Sequence, residues 1–179
     1  MWLSWYNPDM SESVASYDFQ YGSPFGLITA TSDGEHITRL DIIGNKNLHQ
    51  PAKYLTAKDL DVFASLQEWL TIYFRGEIPP FTPSLAPVGS EFRQAVWRVL
   101  LTIPYGETTT YGEIAKIIAN QTGKAKMSAQ AVGGAVGHNP ICIIVPCHRV
   151  IGANGGLTGY SGGEGLYHKT KLLAIEGIC

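Results

Sequence analysis

Cysteine, histidine and arginine stand side by side at positions 147 to 149, in the stretch VPCHRV. A free thiol, with a pKa of about 8.5, is only a few per cent thiolate at neutral pH, and a neighbouring base or cation raises that fraction. Cys147 is therefore a candidate nucleophile, with His148 as its base and Arg149 adding positive potential. Adjacent residues on a strand point to opposite faces, so His148 serves Cys147 only where the backbone turns or a water lies between them; Pro146 and Gly152 supply residues for such a turn. A third group should orient the imidazole, and spacing does not choose among Glu91, Glu107, Glu113, Glu164 and Glu176. Cys142 lies within the apolar run of Ile141, Ile143 and Ile144 and reads as core or pocket wall, whereas Cys179 is terminal. After the nucleophile, GANGGLTGYSGGEG holds seven glycines. It is either a plain surface turn or a loop that closes over a small substrate, with Tyr160 and Ser161 as polar contacts.

The elements that must position these groups fall into two halves. In the first, residues 17–21, 26–31 and 36–43 are short β-favouring runs punctuated by Gly22-Ser23-Pro24 and Asp33-Gly34. Leu60, Phe63, Leu66, Leu70 and Phe74 then recur at three or four residues, which predicts an amphipathic helix stopping near Arg75-Gly76. IPPFTPSLAPVGS, with four prolines, follows as a domain linker. The second half opens with a helix over 91–102 carrying Phe92, Val96, Val99 and Leu100 on one face. Thr110 and Glu113 form a capping box before a second helix, and Ser128 caps a third, SAQAVGGAVG. The apolar run 141–144 is expected to be a strand ended by Pro146. Helix, short turn, helix is a helix-turn-helix outline. Its second helix has almost no side-chain bulk, and each Gly costs about 1 kcal/mol against Ala. Composition alone favours tight packing on a neighbouring helix over close approach to a nucleic-acid groove.

Hydrophobic residues make up 45% and charged residues 16% of the 179, which fits a folded core and excludes a disordered tail. The net charge of -2 hides a split. Residues 1–85 carry five Lys/Arg against ten Asp/Glu, and residues 86–179 carry eight against five, so a polyanion would meet the second half. Three cysteines match no zinc spacing and suit a reduced compartment. The start, MWLSWYNPDM, does not read as a signal peptide, and no apolar run is long enough to span a membrane.

VPCHRV, together with IPYGETTTYGEIA, AVGGAVGHNP, GYSGG and LLAIEG in that order along the chain, closely resembles the O6-alkylguanine-DNA alkyltransferases, the methylated-DNA–protein-cysteine methyltransferases. The match runs from about Phe92 to Gly177; over 1–85 it rests on the strands-then-helix outline. The resemblance implies an α/β chain. A small N-terminal domain over 1–85, an antiparallel sheet plus a helix in the ribonuclease-H-like manner, precedes a mostly helical domain over 86–179 with a winged helix-turn-helix. It implies DNA repair by direct, stoichiometric transfer of an alkyl group from O6 of a flipped guanine to Cys147, with O4 of thymine left open as a second target. His148 matches the base, acting through a water, and Glu176 the carboxylate that orients it. Asn139 matches the brace between recognition helix and active site, and Tyr111 the phenol that donates to N3 of the leaving guanine. Tyr160 and Ser161 match the loop over the base, and the main chain at Cys147 and Val150 matches the reader of the exocyclic amine. Thr110, Ser128, Ala129, Gln130, Ala131 and Gly133 would line the DNA contact. In this family the second helix lies in the minor groove, only about 6 Å wide, which turns the preference for packing into one for groove approach. Two departures stand out. Gln130 occupies a position that is usually arginine, and the first half has no cysteine to hold the zinc that some relatives carry there. No metal or cofactor is expected. The expected partner is double-stranded DNA, the expected state a monomer and the expected compartment the cytoplasm (nucleus in a eukaryote). The rivals are a non-enzymatic alkyltransferase-like protein, which would lack the acceptor cysteine, and a Cys-His-Glu thiol hydrolase, which leaves the helix-turn-helix unexplained.

Overall fold

The computed structural model describes residues 16–43, 60–157 and 165–178. The chain divides into two compact units, Met1–Val88 and Gly89–Cys179.

In the first unit, alternating apolar residues form three antiparallel strands in the order β1-β2-β3: β1 Tyr17–Ser23, β2 Gly26–Ser32 and β3 Ile37–Ile43. A two-residue turn joins β1 to β2, with Ser23 paired to Gly26. Gly26 takes φ 125, a value that favours glycine. Ile28, Ala30, Ile37, Leu40 and Ile42 alternate into the core. Helix α1, Asp61–Phe74, meets that requirement with a buried stripe of Phe63, Leu66, Leu70 and Tyr73, and Phe63 stacks on Phe19 at 5.2 Å. The proline-rich segment is less of a free linker than its composition suggests. Ile37 N–H donates to Ser84 O at 2.8 Å, and Ala86 N–H donates to Ile37 O at 2.9 Å. These bonds bind it to the start of β3, within the unit that ends at Val88.

In the second unit, α2 (Glu91–Leu100) is capped by Ser90, α3 (Tyr111–Gln121) by the reciprocal Thr110–Glu113 box, and α4 (Ala129–Gly137) by Ser128. The three pack through Val96, Trp97 and Leu100, Ile114 and Ile118, and Val132, Ala135 and Val136. The indole of Trp97 donates to Ala135 O at 2.9 Å, which satisfies its one buried polar atom. Two short strands, β4 (Thr109–Thr110) and β5 (Val150–Ile151), pair in parallel, and α5 (Leu166–Ile175) closes the unit.

Candidate active site and nucleic-acid face

The run 141–144, expected to be a strand, is a buried turn. Val145 N–H donates to Ile141 O at 3.1 Å and Ile144 N–H to Cys142 O at 2.9 Å. The buried side chain of Asn139 holds both ends. Its Nδ2 donates to Val145 O at 2.7 Å, and its Oδ1 accepts from Ile141 N at 3.0 Å. Ile143 is forced to φ 71, which costs a β-branched residue about 1–3 kcal/mol. The apolar side chains are thus explained by burial of the turn itself, and the turn hands the chain to a single 3₁₀ turn, Cys147–Arg149. There, successive side chains diverge by about 120° instead of the 180° of a strand, so the sequence HR turns two side chains toward one carboxylate.

That carboxylate is Glu176, at the C-terminal cap of α5. Gly177, at φ 76, ends the helix, and its N–H donates to Ala174 O at 3.1 Å while Ile178 N–H reaches Leu173 O at 3.0 Å. Glu176 Oε1 lies 2.7 Å from His148 Nε2 and accepts from Arg149 Nη2 at 3.0 Å. Oε2 accepts from Arg149 Nε at 2.8 Å and from Gly106 N at 3.2 Å. Burial pushes the Glu176 carboxyl up, but the hydrogen bonds and charges of His148 and Arg149 outweigh it and bring the pKa down to about 2. The fully buried His148 is held below its usual value, chiefly by desolvation and further by Arg149 and Lys169, with Glu176 opposing. A neutral imidazole facing a carboxylate carries its proton on Nε2, a tautomer assigned from the network, and keeps Nδ1 to accept a proton. Cys147 is 2% exposed and reduced.

Two more predicted residues lie around this core. Val150 is buried on β5, and its carbonyl accepts from the buried Lys169 Nζ at 2.5 Å. The Tyr111 ring opens α3 beside Gly133, where a Cβ would sit 3.7 Å from it. Thr110 and Ser128 spend their hydroxyls as helix caps. Ala129, Gln130 and Ala131 stand exposed on α4. Gly134 and Gly137 are exposed too, and a Cβ added at either meets nothing within 4 Å. Their small size is therefore not required by packing among the described residues. Beside this face a cavity of about 860 Å³ between α3 and α4 is lined by Lys116, Asn120, Lys126 and Gln130, among others. Tyr160 and Ser161 lie outside the described residues.

The two units match two family models, the 6-O-methylguanine DNA methyltransferase ribonuclease-like domain over residues 17–87 and the DNA-binding domain of the same family over 91–178. The chain is 46% identical over 160 residues to the methylated-DNA–protein-cysteine methyltransferase of Methanosarcina acetivorans, covering 89% of this chain and 97% of that one. The chain belongs to the 6-O-methylguanine DNA methyltransferase family. Among solved structures it resembles the O6-methylguanine methyltransferase of Mycobacterium tuberculosis, with TM-score 0.74, 42% identity and coverage of 90% of this chain and 92% of that one. It also resembles a Mycobacterium tuberculosis OGT solved in complex with DNA, with TM-score 0.72, 42% identity and coverage of 89% and 92%.

Cys147, His148, Glu176 and Asn139 lie in and around one turn of the second unit. The sequence reading misassigned Arg149 and missed three further contributors, Gly106, Tyr105 and Lys169. Arg149, expected to act on the thiol, spends its guanidinium on Glu176. Gly106 N donates to the same carboxylate, and Tyr105 OH donates to Ile175 O at 2.9 Å, tying IPYGE to the end of α5. Lys169 was legible in principle. With Leu172, Leu173 and Glu176 it forms an i, i+3, i+4, i+7 stripe, so it is a lysine on a core face. The open glycines give a prediction. Gly134→Ala should stabilise the fold by up to about 1 kcal/mol, whereas Gly134→Leu should keep the thermal midpoint and weaken duplex binding at least roughly tenfold. Unchanged binding by the Leu variant in a fluorescence-anisotropy titration would take α4 out of the contact.

Proposed function

We propose that the protein repairs duplex DNA by carrying an alkyl group from O6 of a flipped-out guanine to Sγ of Cys147. The observation that carries the reading is the buried Cys147-His148-Glu176 line, with its 2.7 Å link between imidazole and carboxylate, in the same unit as an exposed helix face stripped of bulk. His148 Nδ1 takes the thiol proton, through a water. The thiolate attacks the alkyl carbon, the S–C bond forms, the C–O6 bond breaks and the electron pair returns to the purine. Tyr111 offers its proton to N3 of the leaving base, so the proton lost at sulfur and the one gained by guanine balance through the protein. Flipping costs a few kcal/mol of stacking and pairing. In this reading Gln130, on the exposed face of α4, enters the gap, with an amide where the family usually has a guanidinium. Ser128, Ala129, Ala131 and Gly133 line the minor groove, Thr110 a flanking strand, and Lys116 and Lys126 supply charge to phosphates. The main chain at Cys147 and Val150 reads the exocyclic amine, and Tyr160 and Ser161 close over the base. The protein acts as a monomer in the cytoplasm, or in the nucleus of a eukaryote.

A thioether is a stable end product, and none of the described residues around Cys147 is suited to removing it. Titration with excess O6-methylguanine duplex should therefore consume one equivalent of protein per methyl group. Multiple turnovers would point to a hydrolase, and binding without consumption to a non-enzymatic reader of damage.

A further inference from the structure

All three guanidinium nitrogens of Arg149 donate hydrogen bonds, and alkyl transfer as written above does not use them. The guanidinium meets Glu176 as a fork, through Nε at 2.8 Å and Nη2 at 3.0 Å, while Nη1 donates to Ile103 O at 2.6 Å. Its Cζ lies over the Tyr105 ring, 5.8 Å from the centroid. The Glu176 side chain is fully buried and that of Arg149 is 11% exposed. With His148 and Gly106 also donating, the two oxygens of Glu176 receive four hydrogen bonds. The carboxylate has no freedom to rotate away from the imidazole.

We propose that Arg149 is a positioning residue for alkyl transfer, fixing the Glu176 carboxylate against His148 Nε2 and cancelling part of its charge. The proposal rests on Cys147-His148-Glu176 being the transfer machinery. Its physical content is a balance. A buried imidazole beside a lone carboxylate becomes a strong base and stays protonated near neutral pH. Such an imidazolium cannot accept the thiol proton. Burial is the largest influence holding His148 neutral, and a guanidinium on the far side of the carboxylate adds to it, weakening the field of Glu176 while it keeps the geometry. The charges that face His148 agree with this: Glu176 raises its basicity, whereas Arg149 and Lys169 lower it, together with burial. Arg is required in place of Lys because only its planar fork spans both oxygens while a third nitrogen holds Ile103 O.

The sign of the pH effect follows. Transfer needs neutral His148, so its rate rises with pH through the His148 pKa. Removing the positive charge raises that pKa and moves the acid limb to higher pH. The test is single-turnover transfer from an O6-methylguanine duplex, with protein in saturating excess, from pH 5 to 9, for wild type, Arg149→Gln and Arg149→Lys. The Gln variant should shift the acid limb up by roughly one pH unit, the low end of what a neighbouring charge produces. The Lys variant keeps the charge and loses the fork. Its limb should stay in place while its plateau rate falls roughly tenfold or more, as for a misplaced catalytic group. An unshifted limb in a folded Gln variant overturns the proposal, and so does a Lys variant with the wild-type plateau, which decides the matter if Gln does not fold. Peptide mass mapping separates the two levels. Methyl groups found away from Cys147 overturn the site reading and this proposal together, whereas methyl groups on Cys147 with unchanged profiles overturn only the role of Arg149.

Discussion

Cys147→Ser should transfer no measurable alkyl group while binding duplex DNA as wild type does. The substitution is nearly isosteric at a residue 2% exposed, so the 3₁₀ turn and the His148–Glu176 pair have no reason to move. What changes is the nucleophile. A hydroxyl has no accessible anion near neutral pH, whereas a thiol has a few per cent and a base within reach to increase it. Loss of the nucleophile from a mechanism of this type costs more than roughly 10³-fold. Cys147 meets the DNA in this proposal only through its main chain, which the substitution leaves in place, and the other proposed contacts lie on other residues. Label transfer from a methylated oligonucleotide, run beside an anisotropy titration, measures both halves. Transfer at the wild-type rate removes Cys147 from the chemistry, and a large loss of affinity would put it in the binding surface instead.

Glu176→Gln should be damaging twice over. The wild-type carboxylate accepts on both oxygens, from His148 and Arg149 on one and from Arg149 and Gly106 on the other. An amide has one acceptor. If its oxygen faces His148, its NH₂ is driven against Arg149 Nε and Gly106 N–H. If it is turned round, its NH₂ donates to His148 Nε2, selects the wrong tautomer and leaves Nδ1 protonated and unable to take the thiol proton. The first orientation leaves a buried cation poorly paired, a loss of about 3–5 kcal/mol, and the second forfeits about 10²–10⁴ in rate. Thermal unfolding and single-turnover rates read the two separately. The pH dependence supplies a check. Because the Glu176 pKa is depressed from 4.5 to about 2, its contribution is complete above the unfolded value and is lost as pH falls from about 4.5 toward 2. That contribution is on the order of 3 kcal/mol. The stability gap between wild type and variant, from urea midpoints, should therefore be wide at pH 7, shrink steadily below about pH 4.5 and be largely gone near pH 2. A gap independent of pH would mean that the carboxylate charge is not what Arg149 and His148 hold.

Local signals made most of the second unit readable. The Thr110–Glu113 box, the Ser128 cap and the three-to-four spacing of apolar residues depend on neighbours within a few positions, and the helices form where those signals lie. The errors share a cause of the opposite kind. Four consecutive apolar residues at 141–144 satisfy a buried strand or a buried turn equally well. The arbiter is Asn139, whose amide bonds the chain at both ends of the turn. The choice of Glu176 over four other glutamates depends on a contact 28 residues distant in sequence, which periodicity cannot carry and the motif LLAIEG could. Arg149 was misassigned because adjacency to Cys147 suggested that its charge served the thiol, whereas the 3₁₀ turn swings it onto Glu176. The bulk-free α4 was ambiguous until the space around Gly134 and Gly137 was known, since Gly content alone does not distinguish a packed face from an open one.

The most direct test of the account is the mass of the protein after one incubation with O6-methylguanine duplex, followed by peptide mapping. The account predicts the gain of a single methyl group, carried on the peptide containing Cys147, persisting when the DNA is removed and absent from Cys147→Ser. An unmodified mass with the oligonucleotide still methylated, or a methyl group on Cys142 instead, would contradict it.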